Sequence, residues 1–82
     1  MNINQATDVT DEISKEIDDI FSYHSWDAMK VESGRRVREA LSNAMKVIID
    51  NVPPSPDRTV AIRKIREARM DCNSAITHEG KY

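Results

Sequence analysis

The side chains best suited to chemistry are aromatic and arginine residues gathered around the start of one predicted helix. Tyr23 and Trp26 offer flat rings, and Arg35, Arg36 and Arg38 follow them. A guanidinium binds phosphate through paired hydrogen bonds, and an aromatic ring stacks on a nucleobase. The combination favours a ligand that carries both a phosphate and a base. The alternative is that the two rings fasten the helix to the core and the arginines are solvated.

A second polar group lies further along the chain. Arg66, Arg69 and Asn73 recur at spacings of three and four, beside the apolar positions of a later helix. We expect Asn73 to be a structural amide, hydrogen-bonded at a packed interface. His24 and His78 are the two histidines of the chain and could approach each other in the fold, although lone histidines are usually surface residues.

The sequence does not indicate catalysis. It has no glycine-rich phosphate loop, no pair of histidines at helical spacing, and a single cysteine, Cys72. Because Cys72 has no neighbouring histidine and no helix start to lower its pKa, it is a poor nucleophile. We therefore predict a non-enzymatic protein with no catalytic residues, no metal site and no cofactor.

Two apolar stripes position these residues. On each side of the sequence Val52-Pro53-Pro54-Ser55-Pro56, apolar side chains recur at alternating steps of three and four, which places them on one helical face. The stripes are Val37, Leu41, Ala44 and Ile48, and then Ala61, Ile65, Ala68, Cys72 and Ala75. They predict an all-α fold whose main element is an antiparallel two-helix hairpin.

Capping signals divide residues 1–82 into the parts of one domain. We predict disorder over 1–7 and helices over 8–22, 27–50 and 56–77. Asp8 is the expected cap of the first helix, Ser25 or Asp27 of the second, and Ser55 followed by proline of the third. Gly34 inside the second helix indicates either a close approach by another helix or a ligand, or a tolerated weak spot.

The composition implies a homo-oligomer. Hydrophobic residues make up 39% of the 82 residues and charged residues 32%, so a thin hairpin cannot enclose its apolar stripe. Residues 1–27 carry one lysine against seven acids, a net charge of −6, which leaves +4 for residues 28–82 because the whole chain has −2. This asymmetry favours either subunits that meet front to rear or a basic pocket for a small anion; a solvated mixed surface is the simpler alternative.

The expected location is the cytoplasm. No apolar run approaches the ~18 residues that span a bilayer, so no membrane partner is predicted. Cys72 falls on the apolar stripe, where a small buried thiol suits a reducing compartment.

Several segments together resemble a known family. They are Tyr23-His24, Val37-Arg38-Glu39-Ala40, the turn at 53–58, the run 61–68, Met70, and Asn73-Ser74-Ala75-Ile76. In order and spacing these segments resemble the helical-hairpin domain shared by phage anti-CBASS cyclic-nucleotide sponges and the related anti-Thoeris sponges. The resemblance covers roughly residues 23–78. The chain departs from the family at Asp71, where an aromatic residue is common, and in its long acidic first helix.

The resemblance implies a homohexamer in the cytoplasm of an infected host cell that captures cyclic di- or trinucleotide immune signals without cleaving them. In the family, an aromatic residue ahead of the second helix stacks on a base, and a basic residue some fifteen positions later holds a phosphate. Those positions are Tyr23 and Arg38 here. His78 stands where the family carries a basic residue tied to trinucleotide binding. The predicted ligand-binding residues are Tyr23, Arg38, His24, Trp26, Arg35 and His78.

Two other functions stay open from the residues alone. A helical oligomeric adaptor would use the same apolar seam to bind a host or phage protein. A small DNA-binding protein would use the arginines of the third helix, but the negative net charge, Glu67 and Asp71 argue against it. We therefore predict no DNA partner.

Overall fold

The structure, a computed structural model, describes the backbone of residues 3–82 and the side chains of residues 10–82. Three α-helices follow one another: α1 at Ile3–Phe21, α2 at Ala28–Asn51 and α3 at Pro56–Thr77. No strand occurs within residues 3–82. The all-helical fold class predicted from the sequence is therefore confirmed.

Side-chain caps explain where α2 and α3 begin. The Asp27 carboxylate accepts a hydrogen bond from the backbone N–H of Lys30 at 2.9 Å, and the Ser55 hydroxyl accepts one from Arg58 N–H at 3.1 Å. Each cap satisfies one of the amide groups left unpaired in a first helical turn. Pro56, the first residue of α3, has no amide hydrogen to satisfy. α2 starts and ends one residue after the predicted positions, and α3 has the predicted bounds.

The first helix starts earlier than the sequence suggested. α1 begins at Ile3, so Asp8 is a helical residue and not the predicted cap. Residues 3–21 contain neither proline nor glycine, the residues that most strongly interrupt a helix, and the helix extends through the whole stretch. Of the seven residues expected to be disordered, 3–7 are helical, and 1 and 2 lie outside the described part of the chain.

Polar contacts fix how α2 and α3 lie against each other. At one end, the Arg58 guanidinium of α3 donates to the carbonyl oxygen of Val52, just beyond α2, at 3.1 Å. At the other end, the Trp26 indole N–H, ahead of α2, donates to the Thr77 hydroxyl at 2.8 Å. The start of each helix therefore lies beside the end of the other.

The seam between α2 and α3 is only half closed. All positions of the two predicted stripes are half-buried except Ala75, which is exposed, and no apolar side chain among residues 10–82 is fully buried. The molecule is 57 × 36 × 16 Å, so its thinnest dimension is close to the ~10–12 Å diameter of one helix. Its radius of gyration is 18.4 Å, whereas a compact domain of this length has about 12 Å. One layer of helices cannot cover its own apolar face.

The first helix stands apart from the other two. Within the described part of α1, no Cα lies within 8 Å of a Cα in α2 or α3. Three of its large apolar side chains are exposed: Ile13, Ile17 and Phe21. α1 is connected to the rest of the chain through its last turn, at Asp19. None of the described helices is both long and apolar enough to cross a bilayer.

Candidate anion-binding groove

A groove runs along one side of the seam between α2 and α3. Its volume is about 250 Å³. Half-buried Leu41, Met45 and Ile65 form its inner surface, and exposed polar side chains form its rim. The rim residues are Arg38, Ser42, Arg66 and Arg69. We call this feature the arginine groove.

Helical spacing brings the rim together. Arg38 and Ser42 are four residues apart on α2, and Arg66 and Arg69 are three apart on α3, so each pair shares one face of its helix. The two faces adjoin because each lies immediately beside the half-buried seam. The groove therefore receives basic groups from both helices.

The arginines of the groove have no acidic partner. Within the described residues, the guanidinium groups of Arg38, Arg66 and Arg69 make no ion pair and no hydrogen bond. Three uncompensated cations lie around one apolar surface in a chain whose net charge is −2. Such an arrangement attracts an anion and offers the apolar part of that ligand a surface to contact.

Arg35, by contrast, is committed to neighbours on its own helix. Its guanidinium hydrogen-bonds Glu32 at 2.7 and 2.9 Å and Glu39 at 2.7 Å. The hydrogen bonds from Arg35, and then from Arg36, lower the pKa of Glu32 to about 2. The hydrogen bonds with Glu32 and then with Glu39 raise the pKa of Arg35 above its usual value. Its charge is already balanced, so Arg35 is a weaker candidate for phosphate than the sequence suggested.

Trp26 packs against the start of α2. Its ring lies directly over Gly34, where an added Cβ would be 2.3 Å from Cζ3 of the indole. The indole N–H is used by Thr77. Of the two interpretations of Trp26, the geometry favours the one in which the ring fastens helices together. The group that approaches Gly34 closely is this ring, and not another helix or a ligand as the sequence had suggested.

Tyr23 is the ring that stays free. Its side chain is 92% exposed and makes no hydrogen bond to a described residue. It precedes α2, whereas Arg38 is ten residues into that helix, a rise of about 15 Å along the axis. Tyr23 therefore does not line the arginine groove of its own chain.

The two histidines do meet. The ring centroids of His24 and His78 are 4.9 Å apart in an edge-to-face arrangement, and Tyr82 packs on His78 in the same manner at 5.2 Å. His24 Nε2 donates to the carbonyl oxygen of Asp19 at 2.6 Å. This cluster lies at the end of α3, whereas the arginine groove lies along the middle of the α2–α3 seam. His24 and His78 are therefore not part of the groove.

Tyr82 and Asp19 complete the histidine cluster. The Tyr82 hydroxyl donates to Asp19 Oδ2 at 2.6 Å, which lowers the pKa of the carboxyl and raises the pKa of Tyr82 to about 12. Sequence analysis missed both residues, because 63 positions separate them and neither belongs to a motif.

The candidates chosen from the sequence also left out most of the arginine groove. They included Arg38 but omitted Arg66 and Arg69, although the three-residue spacing of these two arginines was visible. Asn73 is half-buried, and the structural hydrogen bond predicted for its side chain is not made to any described residue.

Comparison with known proteins adds no assignment. No protein-family model matches the chain, and no curated protein or solved structure shows significant similarity to it.

Proposed function

We propose that this protein is a non-catalytic sponge that binds cyclic di- or trinucleotides and thereby withholds an immune signal from the bacterial host. The observation that carries the proposal is the arginine groove, in which three guanidinium groups without acidic partners among the described residues surround an apolar surface. The family resemblance of residues 23–78 supplies the class of ligand and the setting of phage infection.

The chemistry of the groove suits such a ligand. A guanidinium offers paired N–H donors to the two free oxygens of a phosphodiester. The apolar side chains of Leu41, Met45 and Ile65 can contact a base or a sugar without competing for the phosphate. A cyclic dinucleotide carries two phosphates and two bases, so it matches several cations placed beside an apolar floor.

The proposed functional unit is an oligomer of antiparallel hairpins formed by α2 and α3. The single helix layer leaves large apolar side chains exposed on all three helices, including Phe21 at 83% and Met29 at 81%. Association between copies is the available way to remove this surface from water. The resemblance sets the expected number of copies at six.

Symmetry then completes the site. An isologous contact between two copies supplies Tyr23 twice and Arg38 twice, which matches the near two-fold symmetry of a cyclic dinucleotide. In this arrangement the exposed ring of one copy stacks on a base while the groove of its partner holds a phosphate. Tyr23 does not line the groove of its own chain, and in this arrangement it reaches the groove of the partner copy.

The expected affinity is enough for sequestration. Each hydrogen bond from arginine to phosphate contributes about 1.5–3 kcal/mol, and each stacked base about 1–3 kcal/mol. Two of each give roughly 5–12 kcal/mol before the costs of association, which permits sub-micromolar binding.

Isothermal titration calorimetry with a panel of cyclic dinucleotides and cyclic trinucleotides tests the proposal. We expect Arg38→Ala, Arg66→Ala and Tyr23→Ala each to weaken binding by about tenfold or more, since each removes one charged hydrogen bond or one stack. Arg63→Ala is the matched control, because Arg63 is exposed on α3, has no partner among the described residues and does not line the groove. Native mass spectrometry of the same samples gives the number of subunits and bound ligands.

Two results would reject the proposal. The first is that all three variants bind cyclic nucleotides as tightly as the wild type does. The second is an absence of heat with every cyclic nucleotide, combined with a discrete protein complex recovered from bacterial lysate, which would favour the adaptor function.

A further inference from the structure

Three potential metal ligands converge where α1 ends. A carboxylate oxygen of Asp19 and one ring nitrogen from each of His24 and His78 all lie within 4.8 Å of one another. Asp19 Oδ1 lies 3.6 Å from His24 Nε2. The donors border a small cleft of about 170 Å³.

The ligands come from three separate segments. Asp19 is in the last turn of α1, His24 is in the connection to α2, and His78 is the residue that ends α3. No short sequence motif unites them, because 54 positions separate His24 from His78 (78 − 24 = 54). The fold alone assembles the group.

His78 is the most informative member. Its residue is 8% exposed, the one buried polar residue among residues 10–82, and its ring makes no hydrogen bond to a described residue. Aromatic contacts with His24 and Tyr82 hold this ring in place. No fully buried side-chain nitrogen or oxygen among the described residues lacks a hydrogen-bond partner, so the ring nitrogens of His78 are reached by solvent. A metal ion that enters the cleft can therefore bind one of them.

The surroundings of Asp19 resemble those of a metal-binding carboxylate in known sites. Tyr82 holds Asp19 Oδ2 by a hydrogen bond of 2.6 Å, which leaves Oδ1 on the side of His24. A hydrogen bond of this kind fixes the carboxylates that bind metals in proteins. His24 Nε2 donates to the Asp19 carbonyl at 2.6 Å, and this hydrogen bond is exchanged for coordination when Nε2 binds the ion.

We propose that Asp19, His24 and His78 bind one divalent transition-metal ion, with Zn²⁺ as the best match to two imidazoles and one carboxylate. In tetrahedral coordination, Zn–N and Zn–O bonds of ~2.0–2.2 Å place the ligand atoms about 3.3 Å apart. The widest separation in the cluster must therefore shrink by no more than about 1.5 Å. A water molecule supplies the fourth ligand. Lys81, whose ammonium lies 3.5 Å from Asp19 Oδ2, is mostly exposed and moves away as the ion enters.

The ion would have a structural role. No described Cα of α1 lies within 8 Å of a Cα in α2 or α3, and the Asp19 side chain connects α1 to Tyr82, beyond the end of α3. Coordination by Asp19 and His78 would convert this connection into a fixed joint and set the direction of the acidic helix. The metal site is separate from the arginine groove, so it does not depend on the proposed function.

The test is calorimetric titration of the full chain, free of any polyhistidine tag, with ZnCl₂. We expect one Zn²⁺ per chain and a rise in the melting temperature with added metal. His78→Gln and Asp19→Asn should each weaken Zn²⁺ binding by at least about tenfold. Asp18→Asn, which removes a neighbouring exposed carboxylate outside the cluster, should bind as the wild type does.

Cobalt provides an independent readout. Co²⁺ bound by two imidazoles and a carboxylate should give visible d–d absorption that added Zn²⁺ abolishes, and Asp19→Asn should lose it. Because His78 is buried, circular dichroism checks that His78→Gln is folded. If that variant is unfolded, the test rests on Asp19→Asn, since Asp19 is only half-buried. The proposal is overturned if wild type shows no saturable Zn²⁺ binding, or if Asp19→Asn binds Zn²⁺ as tightly as Asp18→Asn.

Discussion

Replacing Gly34 with alanine tests the packing that holds α2 and α3 together. A Cβ at this position would lie 2.3 Å from Cζ3 and 2.8 Å from Cη2 of Trp26, whereas carbon atoms in contact are normally about 3.5–4 Å apart. The indole is rigid and its N–H is held by Thr77 at 2.8 Å. It must move by more than about an ångström, and the hydrogen bond is then lost.

The magnitude follows from three contributions. Alanine favours a helix interior over glycine by about 1 kcal/mol. Against this, overpacking costs about 1–3 kcal/mol, and the lost Trp26–Thr77 hydrogen bond costs about 1 kcal/mol. We therefore expect Gly34→Ala to lower the free energy of unfolding by about 1–3 kcal/mol, although helix propensity alone predicts an increase.

Urea unfolding at a fixed protein concentration measures the change. Far-UV circular dichroism follows the helices, and fluorescence reports on Trp26 directly because it is the single tryptophan of the chain. In a Trp26→Ala background the obstacle is gone, so adding Gly34→Ala should raise stability by about 1 kcal/mol. Ser42→Ala is the control, because it introduces alanine at an exposed position of α2 and so changes helix propensity without a steric clash. A Gly34→Ala protein about 1 kcal/mol more stable than wild type, with unchanged fluorescence, would refute this account of Gly34.

Three further predictions concern single contacts. Ser55→Ala removes the acceptor of the Arg58 amide and should cost about 1 kcal/mol in urea unfolding. Glu32 has its pKa lowered from 4.5 to about 2, so its contribution to stability is present above pH 4.5 and is lost as the pH falls toward 2. In Glu32→Gln the free energy of unfolding should therefore change less with pH between 4.5 and 2. Tyr82 has its pKa raised from 10.0 to about 12 because its hydroxyl donates to Asp19. This contact therefore stabilises the fold below pH 10, and the stabilisation is lost as the pH rises through 12. Tyr82→Phe should abolish that loss of stability, and in the wild type tyrosinate absorbance should rise over the same pH range.

Matched substitutions make these predictions decisive. Ser42→Ala changes a serine that caps no helix, Glu67→Gln an exposed acid without a described partner, and Tyr23→Phe a phenol without one. Ser55→Ala as stable as Ser42→Ala would contradict the cap. If the free energy of unfolding falls as steeply below pH 4.5 in Glu32→Gln as in Glu67→Gln, the ion pairs of Glu32 with Arg35 and Arg36 are contradicted. An alkaline transition in Tyr82→Phe equal to that in Tyr23→Phe would contradict the hydrogen bond to Asp19.

Local sequence was enough to predict most of the secondary structure. Asp27 and Ser55-Pro56 locate the starts of α2 and α3, because a cap acts on amides two or three residues away. The stripes from Val37 and Ala61 identify the half-buried faces, because helical periodicity alone decides which side chains share a face. The predicted start of α1 was wrong, because Asp8 can cap a helix but does not compel one to begin.

Tertiary structure decided what each functional candidate does. From the sequence, Trp26 could stack on a ligand or fasten a helix to the core. The second role is favoured because Thr77, 51 positions away, accepts its N–H and Gly34 leaves room for its ring. The same juxtaposition of distant positions brings Arg38 beside Arg66 and Arg69 and gathers Asp19, His24 and His78 into one cluster. These arrangements depend on the axial register and rotation of one helix against another. Register and rotation come from the packing of whole faces, so residue spacing shows which side chains share a face and the packed helices determine which faces meet.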